Sequence, residues 1–151
     1  MRITRTVTTA APVHRVFAFM SDFTTTTKWD PGTVLTTRIS GDGGVGTVYA
    51  NTSQFNGRQT ELLYTVIDYR PDSLVQLRGE NRTLTAIDTI TCDATSDGGT
   101  RVTYDAHFTF KGLARLAVPF LGGAFRKLGD EAEVGMRKAL GALANNGEAH
   151  A

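Results

Sequence analysis

The feature that most restricts the fold of this chain is a block of β-rich sequence from Thr33 to Phe110, cut by turn signals at close spacing. The block is dense in Thr, Val, Ile and Tyr, which suit a pleated, half-buried surface. Gly41-Asp42-Gly43-Gly44, Asn56-Gly57, Pro71-Asp72, a break around Glu80 to Arg82, and Asp97-Gly98-Gly99 divide it. Asn-Gly and Asp-Gly pairs tolerate positive φ and are strong hairpin signals. The divisions predict six strands, near 33–39, 46–55, 58–69, 73–80, 83–94 and 100–110. Connections this short make successive strands antiparallel neighbours.

The flanks differ in texture. Ile3 to Thr9 alternates around Ile3, Arg5 and Val7 and reads as one more short strand. Pro12 suits the first turn of a helix because its missing N–H costs nothing there. Val13, Val16, Phe17 and Met20 then share one helical face to about Met20. Phe23 to Asp30 predicts a short helix or turn with Trp29 packed inward. At the other end Leu121, Phe125, Leu128, Ala132, Gly135, Met136, Ala139 and Leu143 recur at intervals of three and four, with charged residues on the remaining faces. Asn145-Asn146-Gly147 is the expected end of this helix. A sheet with one apolar face needs a cover, and this amphipathic helix is the element able to supply it. The class is α+β, with no repeat, linker or second domain.

Composition excludes some functions. Sixteen Lys and Arg against fifteen Asp and Glu give a net charge of +1, without the basic excess of a nucleic-acid binder. The single cysteine, Cys92, has no partner for an intrachain disulfide, which agrees with a reducing compartment. The charged start, Met1 to Arg5, is unlike a signal peptide. The most apolar region, Leu113 to Phe125, is interrupted by Arg115, Pro119, Gly122 and Gly123 and is too short to span a bilayer. A cytoplasmic location and no stable membrane insertion are expected.

In order along the chain, several segments resemble those of the START-like (Bet v 1-like, SRPBCC) superfamily, in its bacterial polyketide cyclase/dehydrase and lipid-transport branch. They are Ala11-Pro12-Val13-His14-Arg15-Val16-Phe17, Ser21-Asp22-Phe23, Trp29-Asp30-Pro31-Gly32 and Val45-Gly46-Thr47, followed by the run from Tyr64 to Pro71, the run from Gly99 to Tyr104, and Pro119-Phe120-Leu121. The resemblance implies a helix-grip fold: a curved seven-stranded antiparallel sheet wrapped around the long C-terminal helix, with two short helices after the first strand. The ligand-binding domain is then expected over residues 1–145, with 146–151 a disordered tail. Family members bind lipids, sterols, polyketides or aromatic compounds, and a minority catalyse cyclisation or dehydration. The matching segments are architectural and carry over no catalytic residue, so catalytic residues stay unknown.

Local motifs add restrictions. A phosphate-binding loop needs a helix after its glycines, whereas a strand follows Gly41 to Gly46, so this run reads as a hairpin. His14, His107 and His150 share no ligand spacing, and no metal site or cofactor is expected. Val102, Tyr104, Ala106, Phe108 and Phe110 form one face of the last strand, which puts His107 on the other. Cys92 shares the phase of Ala86 and Ile90, as a buried structural cysteine would. Asp88 lies on that inward phase too, where an unpaired carboxylate is costly. It is a structural carboxylate paired with arginine or backbone, or a position whose register a bulge has shifted, or a ligand-orienting group or general acid/base. The small residues Ala132, Gly135 and Ala139 indicate either close packing of the C-terminal helix or space for a ligand. Leu113 to Gly123 reads either as a flexible entrance or as a packed connection.

The leading expectation is a protein that binds a small hydrophobic or amphipathic molecule, a lipid, an isoprenoid or an aromatic polyketide. Its candidate pocket residues are Trp29, Phe55, Tyr64, Asp88, Tyr104, Phe108, Phe125, Leu128 and Met136. The alternatives are a cyclase or dehydratase in which Asp88 with Tyr64 or Tyr104 moves protons, and an interaction module with a filled cavity. A homodimer is left open.

Overall fold

The computed structural model describes residues 1–149. Its elements are β1 (Arg2–Thr9), α1 (Val13–Ser21), a 3-10 turn (Phe23–Thr25), α2 (Thr26–Trp29), β2 (Thr33–Ser40), β3 (Val48–Phe55), β4 (Arg58–Arg70), β5 (Leu74–Glu80), β6 (Leu84–Ala94), β7 (Thr100–Phe110), a 3-10 segment (Gly112–Phe120) and α3 (Gly122–Ala149). The strands form one antiparallel sheet in the order β1-β7-β6-β5-β4-β3-β2. It is the curved seven-stranded sheet, long C-terminal helix and pair of short helices expected of a helix grip.

Alternation along the strands builds the inner face. Leu62, Tyr64 and Val66 of β4, Val75 and Leu77 of β5, Ala86, Asp88, Ile90 and Cys92 of β6, and Val102, Tyr104 and Ala106 of β7 are buried. Residues between them face outward, as a period of two requires. One irregularity interrupts β4: Val66 pairs with Leu77 and Asp68 with Gln76, leaving Ile67 as an extra residue. The bulge reverses the phase beyond it. Tyr69 therefore turns inward and meets the Phe17 ring at 5.4 Å, while Asp68 pairs with Arg70 at the surface. The hairpin at Asn56-Gly57 has φ of 52° and 81° at its two residues, as a two-residue hairpin turn demands. In the turn after β6 only Gly98 takes positive φ and Asp97 does not; the Asp97 side chain instead accepts the Gly99 N–H.

β1 and β2 follow one another in sequence yet lie at opposite edges of the sheet. The chain between them crosses one end of the curved sheet, with α1 against β5 and β6 and α2 against β2 and α3. Pro12 stands just outside α1 as its extended N-cap (ψ 152°) rather than in its first turn. Its carbonyl accepts the N–H groups of Arg15 and Val16, which starts the helix. Val16, Phe17 and Met20 are buried.

Helix α3 covers the inner face. Phe125, Ala132, Met136 and Leu140 are buried along it. Thr9 donates its hydroxyl to the Leu140 carbonyl, and Arg5 pairs with Asp130 at 2.9 Å, fastening α3 to β1. The small residues of α3 mark close packing: a Cβ on Gly135 would lie 1.8 Å from the Trp29 carbonyl oxygen, and one on Gly129 would meet Ile3 and the Arg5 guanidinium. The helix also continues past Asn145-Asn146-Gly147 to Ala149. Asparagine and glycine each weaken a helix by about 1 kcal/mol or less, which is not by itself a stop. His150 and Ala151, at the end of the expected tail, lie outside the described residues. No helix among the described residues is long and apolar enough to cross a membrane.

Two glycines of α3 should respond oppositely to alanine. Gly135→Ala places a methyl group into the Trp29 carbonyl and should lower stability by about 3 kcal/mol, at the upper end of overpacking costs. Gly141 has open space around its Cβ position, and Gly141→Ala should raise stability by ~0.5–1 kcal/mol. Denaturant unfolding of the two variants beside the parent protein measures both signs.

Candidate functional site

Between the inner face and the first half of α3 lies a cavity of about 100 Å³. From α3, Gly129 and the small Ala132 line this space together with Phe125 and Leu128, which wall one side. Phe125 is the centre of an aromatic cluster, with ring centroids 4.8 Å from Phe55, 4.9 Å from Phe108 and 5.9 Å from Phe110. On the other side Trp29 meets Tyr104 edge-on at 5.3 Å, and Phe23 meets Tyr64 at 4.8 Å.

Eight of the nine expected pocket residues line this cavity: Trp29, Phe55, Tyr64, Asp88, Tyr104, Phe108, Phe125 and Leu128. Met136 does not. It lies on the same helical face but one turn beyond Ala132, and it is wholly buried in the apolar core. The contact of Gly135 with the Trp29 backbone closes the space between those two levels. Tyr64 is held over the cavity by its cross-strand partner Gly79, whose missing Cβ leaves room for the ring; a Cβ there would lie 2.6 Å from it.

Asp88 is the chemical centre of the site. It is 2% exposed, and the Tyr104 hydroxyl donates to its Oδ2 at 2.8 Å. Oδ1 has no hydrogen-bond partner among the described residues, and the same holds for Trp29 Nε1. Among the described residues lining the cavity there is no arginine, lysine or histidine. The arginine or backbone pairing that would make Asp88 purely structural is thus absent. Burial pushes its carboxyl up from 3.8 to about 7, against the Tyr104 bond, which favours the charged form. Tyr64 and Tyr104 are both raised well above the usual phenol value, chiefly by burial and then by the Asp88 charge.

Sequence phase missed a polar wall. Asn51 and Ser53 of β3 line the cavity with Thr26. Ser53 donates to Asn51 Oδ1, Asn51 Nδ2 donates to Thr36, and the Thr36 and Thr26 hydroxyls share a bond of 2.7 Å. Their signal was present: Tyr49, Asn51, Ser53 and Phe55 share one phase of β3. Asp30 is also at the cavity, accepting from Gly32 N–H and the Thr33 hydroxyl, and burial raises its carboxyl. A surface groove of about 570 Å³ shares Gln54, Phe55 and Leu128 with the cavity as lining residues. The segment before α3 is a 3-10 helix and not a packed connection: Leu113, Leu116 and Phe120 are 85%, 72% and 86% exposed on it. His107 faces outward, His14 pairs with Asp72 at the surface, and the buried Cys92 thiol is pushed up to about 12, which suppresses the reactive thiolate.

The family model for polyketide cyclase / dehydrase and lipid transport matches residues 1–148. The chain belongs to this family. Its solved structural relatives carry the same fold at low identity. The Zhui aromatase/cyclase from Streptomyces sp. R1128 is 13% identical, each chain covering 93% of the other, with a TM-score of 0.78. A START superfamily protein from Mycobacterium smegmatis is 16% identical over 96% of this chain and 97% of its own, at 0.72. Ara h 8.0201 is 17% identical over 90% and 97%, at 0.57. No curated protein sequence matches significantly. Within the family, membership supports ligand binding or cyclase activity and does not choose between them.

The Asp88 environment makes stability depend on pH. The folded carboxyl holds its proton to about pH 7, the unfolded one only to about pH 4. Between those values the folded state binds more protons, so its stability falls as pH rises. The full penalty above pH 7 is on the order of 4 kcal/mol for a shift from 3.8 to about 7. Asp88→Asn should flatten this slope, leaving the variant's stability relative to the parent several kcal/mol better at pH 8 than at pH 4. Tyr104→Phe should move the carboxyl higher still, because the lost bond favoured the carboxylate. Denaturant midpoints across pH 4–8, with carboxyl titration by carbon NMR, read both effects.

Proposed function

We propose that this chain binds a compact apolar or amphipathic molecule between its sheet and α3. The observation that carries this reading is an aromatic-walled cavity with polar groups converging on it, among them Asp88–Tyr104, Asp30 and Thr26–Asn51–Ser53. An apolar wall with a few convergent polar groups is the general form of a small-molecule site. The space of about 100 Å³ suits a ring-sized molecule. It is well under the roughly 300 Å³ at which drug-sized sites begin. A lipid or a multi-ring polyketide would need Phe55 and Leu128 to swing aside and join the cavity to the groove outside. The names of the structural neighbours, an aromatase/cyclase and a START superfamily protein, agree with a ligand of this kind.

A second reading is favoured by one observation: a carboxyl near neutrality, held by Tyr104 and facing a cavity without a cationic partner. Such a group can act as both base and acid at physiological pH. On a bound β-hydroxy ketone, Asp88 as carboxylate would take the proton next to the carbonyl. As acid it would return that proton to the departing hydroxyl, releasing water and leaving the unsaturated ketone.

Trp29 is the sole tryptophan and lines the cavity, so its emission reports occupancy directly. Titration with 2-phenylethanol should change that emission saturably, and native mass spectrometry should show one molecule per chain. Ala132→Leu, which fills the space from α3, should weaken binding at least tenfold while the melting transition stays cooperative. Unaltered binding in this variant would place the ligand elsewhere. The catalytic reading requires in addition that Asp88→Asn abolish water loss from a β-hydroxy ketone that the variant still binds.

A further inference from the structure

We infer that the preferred occupant of this cavity is a cation, a ring-sized aryl-alkyl amine whose ammonium group meets Asp88 Oδ1 while its hydrocarbon part lies among the aromatic walls. The inference rests on the container reading above and deepens it by fixing the charge of the ligand.

Three features converge. First, the cavity is lined by two carboxylates, Asp88 and Asp30, and among its described lining residues by no basic side chain. Second, the two acids are not equivalent. Asp30 uses both oxygens internally, on Gly32 N–H at 3.0 Å and on the Thr33 hydroxyl at 3.1 Å. Asp88 uses only Oδ2, and its Oδ1 is buried at the cavity wall without a donor. A buried acceptor left unpaired is costly, more so when charged, and a donor brought by a ligand removes that cost. Third, the flanking walls are the rings of Trp29, Phe23, Tyr64 and Tyr104, whose negative faces attract a cation, most strongly where water is excluded.

Nothing among the described residues already supplies this charge. Arg5 lies on the inward phase of β1, but its guanidinium is spent on Asp130 and on the Thr4 and Arg126 carbonyls. Arg2 is held outside the sheet by Asp105. The groups facing Asp88 from its surroundings are Tyr104 of β7, Tyr64 of β4 and Asp30 at the end of α2, with Asp105 on the far face of β7 and Glu131 of α3 acting on Asp30. All are acids or phenols. Its cross-strand neighbours Leu77 and Ala106 carry no charge. A bound ammonium would oppose the negative field of Asp30 and pull the Asp88 carboxyl downward, so that binding near neutral pH releases a proton. A neutral ligand brings no such charge and drives no proton release.

The test compares 2-phenylethylamine with its neutral isostere 2-phenylethanol, followed through Trp29 emission from pH 5.5 to 8.5. An aliphatic amine, like a lysine at about 10.4, stays charged throughout this range. The amine should bind at least tenfold more tightly than the alcohol at pH 8.5, and its affinity should fall about tenfold or more by pH 5.5 as Asp88 protonates. Asp88→Asn should lose the amine preference and keep the alcohol. Tyr104→Phe, which retains the carboxylate, should keep the amine preference with its pH midpoint moved upward; it also guards against misfolding of the first variant. Alcohol binding equal to or tighter than amine binding at pH 8.5, or an amine preference that survives Asp88→Asn, overturns the cation and leaves the container standing. Binding of neither molecule overturns both.

Discussion

The structure depends on the burial of one curved sheet face by one helix. The inward residues of β4 to β7 form an apolar surface that has no cover of its own, and among the described residues α3 is the element long enough to run across it. Burial of apolar surface at roughly 25 cal/mol per Å² is the dominant gain in such an assembly. Everything else is arranged around that contact. The segment from Ala10 to Gly32 crosses one end of the sheet and packs α2 against α3, because β1 and β2 stand at opposite edges and the chain must pass between them. The cavity is the part of that interface walled by Phe125, Leu128 and Ala132 of α3 and the aromatic residues of the sheet.

Much of this was legible from residue types and spacing. All six strands of the meander lie within two residues of the positions the turn signals assign, since Asn56-Gly57, Pro71-Asp72 and Gly98 mark the places where φ is positive. Alternation then identified the inward phase, and with it Tyr64, Asp88, Tyr104 and Phe108 at one cavity. Phase gives the face of an element but not the depth along it, which is why Met136 shares the face of Phe125 and Leu128 without sharing their space. The bulge at Ile67 was illegible for a related reason, because one extra residue in a pairing leaves no mark on composition. For the glycines of α3, close approach or open space was undecidable from the helix alone. The answer at Gly135 lies in the Trp29 backbone, over a hundred residues away in the chain.

The candidate site is also where local rules for a stable core are broken. A carboxyl on an inward strand position, with one oxygen unpaired, is unfavourable in a fold that could place a valine there. So is an indole N–H without an acceptor. Departures of this kind gather at functional sites in proteins otherwise consistent from propensity to packing. Here both orphan groups belong to residues lining one small cavity, while the polar side chains of the neighbouring wall, Thr26, Thr36, Asn51 and Ser53, satisfy one another. The contrast separates polar groups that hold the fold together from those left free for something else.

The contact between Gly135 and the Trp29 carbonyl has a consequence for how such a cavity can change over evolutionary time. Because a single methyl group does not fit there, α3 cannot slide or rotate by one residue against α2 without a clash. Each position on the helix therefore keeps a fixed address relative to the cavity: residue 125 at the aromatic cluster, residues 128, 129 and 132 along its wall. With the frame pinned, exchanging side chains at those addresses redraws the shape of the enclosed space one position at a time. The scaffold can acquire a new ligand by point substitution while its architecture stays the same.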